Sequence, residues 1–126
     1  MQASAEGSEN RLAVYGSLAP GKKNHWMLEG VPGTWSPGTV RGSLHPYGWG
    51  ATEGYPAMTY DEAGAEIQVQ VFESALLPQH WQRIDEFEGV QYVRTLVPIA
   101  MADGRNLLCN IYELNRGLLA ARVIGQ

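Results

Sequence analysis

The chain has 126 residues, of which 44% are hydrophobic and 17% are charged, and this is enough for one globular domain with a substantial core. The formal net charge of −4 argues against non-specific nucleic-acid binding, and no apolar run approaches the roughly 20 residues that cross a bilayer. The single cysteine, Cys109, excludes an internal disulfide framework and fits a reducing compartment. Since residues 1–10 also lack the hydrophobic segment of a signal peptide, we predict a cytoplasmic protein with a flexible leader over 1–10 and a single domain over 11–126.

In the first half of the chain, short apolar runs separated by glycine and proline predict strands joined by loops. The run Arg11–Tyr15 predicts a buried strand, Asn24–Gly30 one or two helical turns, and Thr39–Leu44 a second strand. We expect loops over the remaining stretches, which are Gly16–Lys23, Val31–Pro37 and the glycine- and aromatic-rich segment His45–Pro56.

The second half predicts more strands and one clear helix. Glu66–Phe72 alternates strictly and places every second residue on one face. Pro98 should put the strand Tyr92–Met101 at an edge or a bulge, and Asp103-Gly104 is typical of a two-residue hairpin loop. The other expected elements are the strands Ala57–Tyr60 and Asn106–Leu114, the turn Asp61–Gly64 and a short tail helix over Arg116–Gln126. The pattern predicts an α+β fold with a mainly antiparallel, curled or closed sheet, one main helix and short flanking helices.

The main helix is predicted from Pro78 to Glu88, and it ends in a carboxylate on its apolar face. The residues at i, i+4, i+7 and i+11 share that face, and they are Leu77, Trp81, Ile84 and Glu88. Gly89 follows as a helix terminator. The helix dipole disfavours negative charge in the last turn by about 0.3–1 kcal/mol, and burial acts in the same direction. Both effects raise the pKa of Glu88 towards the range of a general acid/base, unless its side chain turns out to water at a frayed end.

The loop after the first strand nearly matches a phosphate-binding motif. Gly16–Lys22 fits G-x-x-x-x-G-K, but Lys23 stands where Ser or Thr should hold Mg²⁺, and Pro20 removes one N–H group from the phosphate cradle. These departures argue against nucleotide hydrolysis. The N–H groups of residues 16–18 instead indicate an anion site or an oxyanion hole, with a purely structural tight turn as the alternative.

Other reactive side chains give weaker signals. His25, His45 and His80 have no metal-ligand spacing, so we predict no metal site, and we expect His25 to cap or brace the loop. Ser17 lacks a G-x-S-x-G elbow, which argues against a serine hydrolase. Cys109 lies in a predicted strand and should be an inert core residue.

Four short sequence motifs follow one another along the chain. Tyr15-Gly16-Ser17-Leu18 fits Y-G-[ST]-L, and Asn24-His25 follows at a short distance. Gly54–Ala57 contains Y-P-A, and Ile84–Arg94 is close to L-D-x-[FY]-E-G-x-x-Y-x-R. From roughly Leu12 to Leu114 the chain therefore resembles the gamma-glutamylcyclotransferase-like superfamily, including its avirulence-induced-gene-like and gamma-glutamylamine cyclotransferase branches. Its middle strand departs from the family's G-E-L-[YF] element, because Val69-Gln70 replaces Gly-Glu.

The resemblance implies a fold and a set of site residues. The fold would be a small, mostly antiparallel β-barrel with helices outside. Glu88 would be the general acid/base, and the substrate-binding residues would be Tyr15, Gly16, Ser17 and Leu18. Tyr92 would either hydrogen-bond substrate or hold Glu88, with a half-buried core tyrosine as the alternative. Arg94 should pair with a carboxylate such as Asp85, while Tyr112 should either line the pocket or simply pack inward.

The resemblance also implies a reaction on a small-molecule gamma-glutamyl substrate, without a metal or a cofactor. The α-amine of the substrate would attack its own γ-amide carbonyl, in a transferase- or lyase-type cyclisation that releases 5-oxoproline and an amine or amino acid. Intramolecular attack already supplies proximity worth up to about 7–11 kcal/mol when it is well oriented. The alternative is a non-catalytic binding module for a small acidic metabolite or peptide.

Overall fold

The computed structural model describes residues 3–16, 18–46 and 56–117. Within them lie six strands, one α-helix and three 3₁₀ turns. The strands are β1 (Arg11–Val14), β2 (Thr34–His45), β3 (Ala57–Tyr60), β4 (Ala65–Glu73), β5 (Tyr92–Met101) and β6 (Asn106–Leu114). The helix is α1 (Trp81–Glu88), and the 3₁₀ turns are Ser8–Asn10, His25–Met27 and Leu77–Gln79.

Five of the strands close into a barrel. Their order is β2-β4-β1-β6-β5, and β5 returns to β2, where Gly38 pairs with Met101 and Thr39 with Ala100. Strand β3 pairs with β2 as a sixth strand. All the pairings are antiparallel except that of β1 with β6. The predicted α+β fold, with a mostly antiparallel closed barrel and one main helix, is confirmed.

Two apolar clusters lie on opposite faces of β1, because successive strand side chains point to opposite sides. Ala13 belongs to a cluster formed almost entirely by barrel strands. Leu12 and Val14 belong to a second cluster, which packs β1 and β6 against α1 and includes Trp81 and Ile84. The helix is thereby fixed against the barrel beside the end of β1.

The predicted strands other than the second agree with the structure to within one residue at each end. In β4 the alternation is as predicted, with Ile67, Val69 and Val71 buried. Pro98 is exposed in β5, at a position that pairs with β6 but not with β2. The missing N–H of proline is therefore tolerated at this open edge.

Strand β2 begins at Thr34, so the prediction of a loop over Val31–Pro37 was wrong for its second half. A continuous ladder with β4 runs from Thr34 to Gly42, and the Trp35 ring packs against Phe72 with 4.9 Å between ring centroids. This pairing and packing outweigh the local loop signals of proline and glycine.

The main helix begins later than predicted. Residues Leu77–Gln79 form a 3₁₀ turn, and the N–H of His80 donates to the Leu77 carbonyl at 2.8 Å. The first bond of the α type runs from the Ile84 N–H to the His80 carbonyl at 3.1 Å. Pro78 at the start of the segment therefore favours a tighter turn before α1.

The hairpin between β5 and β6 has a longer loop than the predicted two residues. Gly104 donates to the Met101 carbonyl at 3.0 Å, and Met101 donates to the Arg105 carbonyl at 2.8 Å. Only Gly104 has positive φ, at 97°, whereas a two-residue loop of the expected type needs positive φ at both positions.

The segment expected to be a flexible leader is held to the barrel from Ser4 onwards. Ser4 forms a parallel bridge to Leu107, and Ser8–Asn10 is a 3₁₀ turn. The Arg11 guanidinium, which is buried, donates to the carbonyls of Ser4 and Glu6 and to that of Leu108. These bonds tie the described part of the segment to β6.

Two predicted elements lie largely outside the described residues. They are the irregular segment His45–Pro56, of which 47–55 are not described, and the tail helix Arg116–Gln126, of which 118–126 are not described. Within the described ranges, no helix has the length and apolar character needed to cross a membrane.

We predict that Gly38→Ala destabilises the barrel, because the added Cβ would lie 2.8 Å from Ile99 Cγ2 and 3.2 Å from the Ala100 carbonyl oxygen. Overpacking of this kind should lower the free energy of unfolding by about 1–3 kcal/mol, measured by urea denaturation. The control is Ser43→Ala on the exposed side of the same strand, which should change stability by less than about 0.5 kcal/mol. A Gly38→Ala protein as stable as the parent would show that the β2–β5 seam can admit a methyl group.

Candidate active site

Glu88 is the last residue of α1, and it lies on the buried face of the helix. The buried residues of α1 are Trp81, Ile84 and Glu88, as the periodicity predicted. Gly89 ends the helix with φ of 78°, and its N–H donates to the Asp85 carbonyl at 3.0 Å. Glu88 is only 6% exposed, so the alternative of a frayed end in solvent is wrong.

A small cavity beside Glu88 brings together residues that are far apart in the chain. Its other lining residues come from β1, the loop after β1, the residue before β3, and strands β5 and β6: Leu12, Ala13, Val14, Tyr15, Gly16, Leu18, Pro56, Tyr92 and Tyr112. The cavity volume is about 30 Å³, which is room for about one water molecule. A ligand of amino-acid size therefore requires this cavity to widen.

The carboxyl group of Glu88 is buried, and the described residues do not satisfy both of its oxygen atoms with hydrogen bonds. Its Oε2 atom accepts no hydrogen bond from the described residues, and none of the described lining residues is basic. Because burial penalises the charged form, the pKa of Glu88 rises from 4.5 to about 7. A carboxyl group with this pKa exchanges protons readily near neutral pH.

The loop after β1 lines the same cavity as Glu88. The N–H of Ala19 donates to the Gly16 carbonyl at 3.0 Å, whereas the N–H groups of Gly16 and Leu18 donate to no backbone carbonyl in the described ranges. The ring of His25 contacts the Leu18 carbonyl, with 3.0 Å between Nδ1 and the oxygen, and so braces the loop as expected. Ser17, predicted to bind substrate, lies outside the described residues.

Tyr15 is one of the residues that line the cavity, but its hydroxyl forms hydrogen bonds within the fold. The hydroxyl donates to the Tyr112 carbonyl at 2.8 Å and accepts from the Met58 N–H at 3.0 Å. Burial raises the pKa of this phenol above its ordinary value. Tyr15 thereby joins β6 and β3 at the cavity, a role that the sequence motif did not reveal.

Tyr92 and Tyr112 complete the aromatic wall, and both are buried. Tyr112 therefore lines the pocket, one of its two expected placements. Its hydroxyl donates to Asp85 Oδ1 at 2.6 Å, and burial together with this bond raises the pKa of the phenol. Asp85 is also paired with Arg94 at 2.8 Å, as predicted. The link from this ion pair to Tyr112 had no signal in the sequence, because it joins residues on α1 and β6.

Metal-ligating side chains are dispersed. Across the described ranges, no three His, Cys, Asp or Glu side chains are grouped so that they could hold a metal ion. Cys109 is buried in the barrel cluster, and burial raises the pKa of its thiol to about 11, so it is a poor nucleophile here.

The family model "Gamma-glutamyl cyclotransferase, AIG2-like" matches residues 12–123. The chain belongs to this family. None of the curated proteins compared with the chain matches it. Among solved structures it is similar to YkqA from Bacillus subtilis, with 22% identity and a TM-score of 0.63, and to the uncharacterized protein PH0828 from Pyrococcus horikoshii, with 26% identity and a TM-score of 0.57. An AIG2-like protein from Mus musculus has 23% identity and a TM-score of 0.60.

These alignments cover most of this chain but different shares of the relatives. They include 84% of the chain for YkqA and 82% for each of the other two. The chain spans 36% of YkqA, and 76% of both the Pyrococcus horikoshii and the Mus musculus proteins. The barrel of the gamma-glutamyl cyclotransferase, AIG2-like family is thus shared across all three.

The departure from the family pattern at Val69-Gln70 lies in β4, on the strand next to β1. Val69 is buried in the barrel cluster, and Gln70 is exposed opposite Val14 in β1 and Pro37 in β2. Neither residue lines the cavity beside Glu88. The two replaced positions therefore contribute no described side chain to the cavity, although Gln70 is paired with the lining residue Val14.

We predict that Glu88 makes the protein less stable as the pH rises. Its pKa is 4.5 in the unfolded chain and about 7 in the folded protein, so the folded state binds the proton more tightly. The resulting stabilisation is complete below pH 4.5 and is lost as the pH rises through 7, by up to about 3 kcal/mol. In urea denaturation from pH 4 to 8, Glu88→Gln should therefore gain stability relative to the parent as the pH rises.

The matched control is Glu86→Gln, on the exposed side of the same helix. The free energy of unfolding of Glu86→Gln should match that of the parent from pH 4 to 8, because the Glu86 side chain is exposed. If Glu88→Gln also followed the parent across this range, the carboxyl group would not be desolvated in solution.

Proposed function

We propose that the protein is a gamma-glutamyl cyclotransferase in which Glu88 is the general acid/base. The observation that carries the proposal is the buried Oε2 of Glu88, which accepts no hydrogen bond from the described residues, together with the presence of Glu88, Gly16 and Leu18 in the lining of one cavity. Perturbed carboxyl groups in clefts are typical of catalytic sites. Membership of the gamma-glutamyl cyclotransferase, AIG2-like family supports the same chemistry.

The proposed reaction takes two protons from the α-nitrogen of the substrate, and Glu88 carries the first of them. The Glu88 carboxylate takes a proton from the α-ammonium group of the substrate, and the free amine attacks the γ-amide carbonyl carbon. A carbon–nitrogen bond forms within the substrate and closes the five-membered ring. Glu88 then returns the proton to the departing nitrogen, and the original amide bond breaks. The ring nitrogen, which still carries one proton more than the lactam, loses it to the departing amine or to water, and 5-oxoproline leaves with the free amine or amino acid.

The environment of Glu88 suits both steps. With a pKa of about 7, the group is substantially ionised at neutral pH and is still acidic enough to return the proton. A positioned acid/base contributes about 10²–10⁴-fold to the rate, in addition to the proximity supplied by intramolecular attack. The apolar lining from Leu12, Val14 and Leu18 keeps the local dielectric low, which strengthens the electrostatic interactions in the site.

The loop after β1 would supply the polar contacts to substrate. The N–H groups of Gly16 and Leu18, two residues that line the cavity with Glu88, would bind either the developing oxyanion or the substrate α-carboxylate. Since none of the described lining residues is basic, backbone amides are the natural partners for negative charge in this cavity.

The direct test is to incubate the protein with gamma-glutamyl peptides, dipeptides and amines, and to measure 5-oxoproline. We expect release from at least one of these substrates and its loss in Glu88→Gln, which keeps the shape of the side chain but cannot exchange the proton. Glu86→Gln should retain full activity. Release that survives in Glu88→Gln would refute the acid/base role, whereas ligand binding without any 5-oxoproline would favour a binding module.

The proposal also predicts a pH dependence. Because Glu88 must be ionised to accept the first proton, kcat/KM should fall about tenfold per pH unit below pH 7, the pKa that burial gives this carboxyl group. Rates of 5-oxoproline release between pH 5 and 9 measure this limb. An acid limb near pH 4.5 would indicate a solvated carboxyl group and would contradict the assignment.

A further inference from the structure

The hydroxyl of Tyr112, in the wall of the Glu88 cavity, is tied to an ion pair on two other elements. It donates to Oδ1 of Asp85 on α1 at 2.6 Å. Arg94 on β5 donates to the same carboxylate through Nε, at 2.8 Å from Oδ1, and through Nη2, at 3.2 Å from Oδ2. Two-point pairing of this kind fixes the orientation of both groups.

Arg94 is itself held on its other sides. Its guanidinium carbon lies 4.3 Å from the centroid of the Trp81 ring, and its Nη1 donates to Asn110 Oδ1 at 3.1 Å. Asn110 in turn donates to the Ser8 carbonyl at 3.0 Å. The ion pair is therefore anchored to the helix, to β6 and to the N-terminal segment.

We propose that Asp85 and Arg94 are positioning residues, which hold the Tyr112 ring in the wall of the cavity and so keep water away from the Glu88 carboxyl group. This inference rests on the proposed function. Asp85 and Glu88 are three residues apart on α1, so the bond from Tyr112 also fixes the last turn of the helix against β6. The cavity of about 30 Å³ has room for only about one water molecule, so a shift of this ring that enlarged it would admit further solvent.

A role in direct ligand binding is disfavoured by the charges. Asp85 and Arg94 also border an open surface groove with Val90 and Val93. They neutralise each other there, and Asp85 already accepts three hydrogen bonds, two from Arg94 and one from Tyr112. The pair therefore offers a ligand little charge, and the Tyr112 side chain that it holds lies between this groove and the Glu88 cavity, since Tyr112 lines both.

The test must separate positioning from a change of charge. In the described part of the chain, the titratable groups that line the cavity with Glu88 are the phenols of Tyr15, Tyr92 and Tyr112, and Asp85 lies one turn earlier on the helix. Tyr112→Phe removes the tether but keeps the ring and every charge. Asp85→Ala removes the acceptor together with a charge.

We expect Tyr112→Phe to lower kcat/KM for 5-oxoproline release by about tenfold and to move the acid limb of the pH profile to lower pH. Asp85→Ala should have at least as large an effect on kcat/KM. If both act through one bond, the double variant should lie within about twofold of Asp85→Ala alone. The matched control is Asp103→Ala, which breaks an exposed ion pair with Arg105 at 2.8 Å and should leave activity unchanged.

A Tyr112→Phe protein with the parent's kcat/KM and pH profile would overturn the proposal. So would losses that multiply in the double variant, because they would indicate that the Tyr112 hydroxyl contacts substrate directly. Arg94→Lys is the second probe should Tyr112→Phe fold poorly, and it should lower kcat/KM several-fold because lysine cannot make the two-point contact.

A readout without turnover distinguishes this inference from the proposed function. If no gamma-glutamyl compound yields 5-oxoproline, the proposed function fails. The positioning role is then tested by measuring the free energy of unfolding in urea at several pH values. The pH-dependent stability difference caused by Glu88→Gln should then be smaller in the Tyr112→Phe background than in the parent background. An equal difference in the two backgrounds would overturn the positioning role.

Discussion

The candidate site depends on the burial of the Glu88 carboxyl group, whose Oε2 atom accepts no hydrogen bond from the described residues. Glu88 shares the helix face of Trp81 and Ile84, and the packing of those side chains carries it inward. Burial of one large apolar side chain contributes about 1.5–3 kcal/mol, so the packing of α1 can offset the cost of desolvating the acid. The helix thus supplies both the acid and the apolar surface that holds it in place.

Closure of the barrel determines what Glu88 faces. Strand β1 lies between β4 and β6, and it leads directly into the loop that carries Gly16 and Leu18. The Tyr15 hydroxyl then joins β6 to β3 through two backbone groups, so that strands distant in sequence meet at the cavity. The exact fit at the seam depends on Gly38, where a side chain would collide with Ile99. A site on the ends of rigid strands is held more precisely than one on loops alone.

A connected network of hydrogen bonds and one ion pair adds rigidity to the site beyond what apolar packing supplies. Here the chain of contacts runs from the Ser8 carbonyl through Asn110 and Arg94 to Asp85, and from Asp85 to Tyr112 in the cavity wall. Every link between these groups joins different elements. The N-terminal segment is therefore part of the structure that supports the site, although its composition suggested a loose leader.

The features that depend on local periodicity and local chemistry could be predicted from the amino-acid sequence. Alternation identified β4, the helical period placed Glu88 on the buried face of α1, and the block around Phe87-Glu88-Gly89 pointed to the family. The pairing of Arg94 with Asp85 was also predicted from the sequence, because both residues lie in that short block.

The contacts between elements that are distant in sequence follow from the closure of the barrel. The start of β2, the bond from Tyr112 to Asp85 and the structural role of the Tyr15 hydroxyl all depend on how the barrel closes. Periodicity reports that a residue is buried, but it carries no information on its partner across the sheet. That partner is chosen by strand register and closure, which join residues as far apart as Tyr15 and Tyr112.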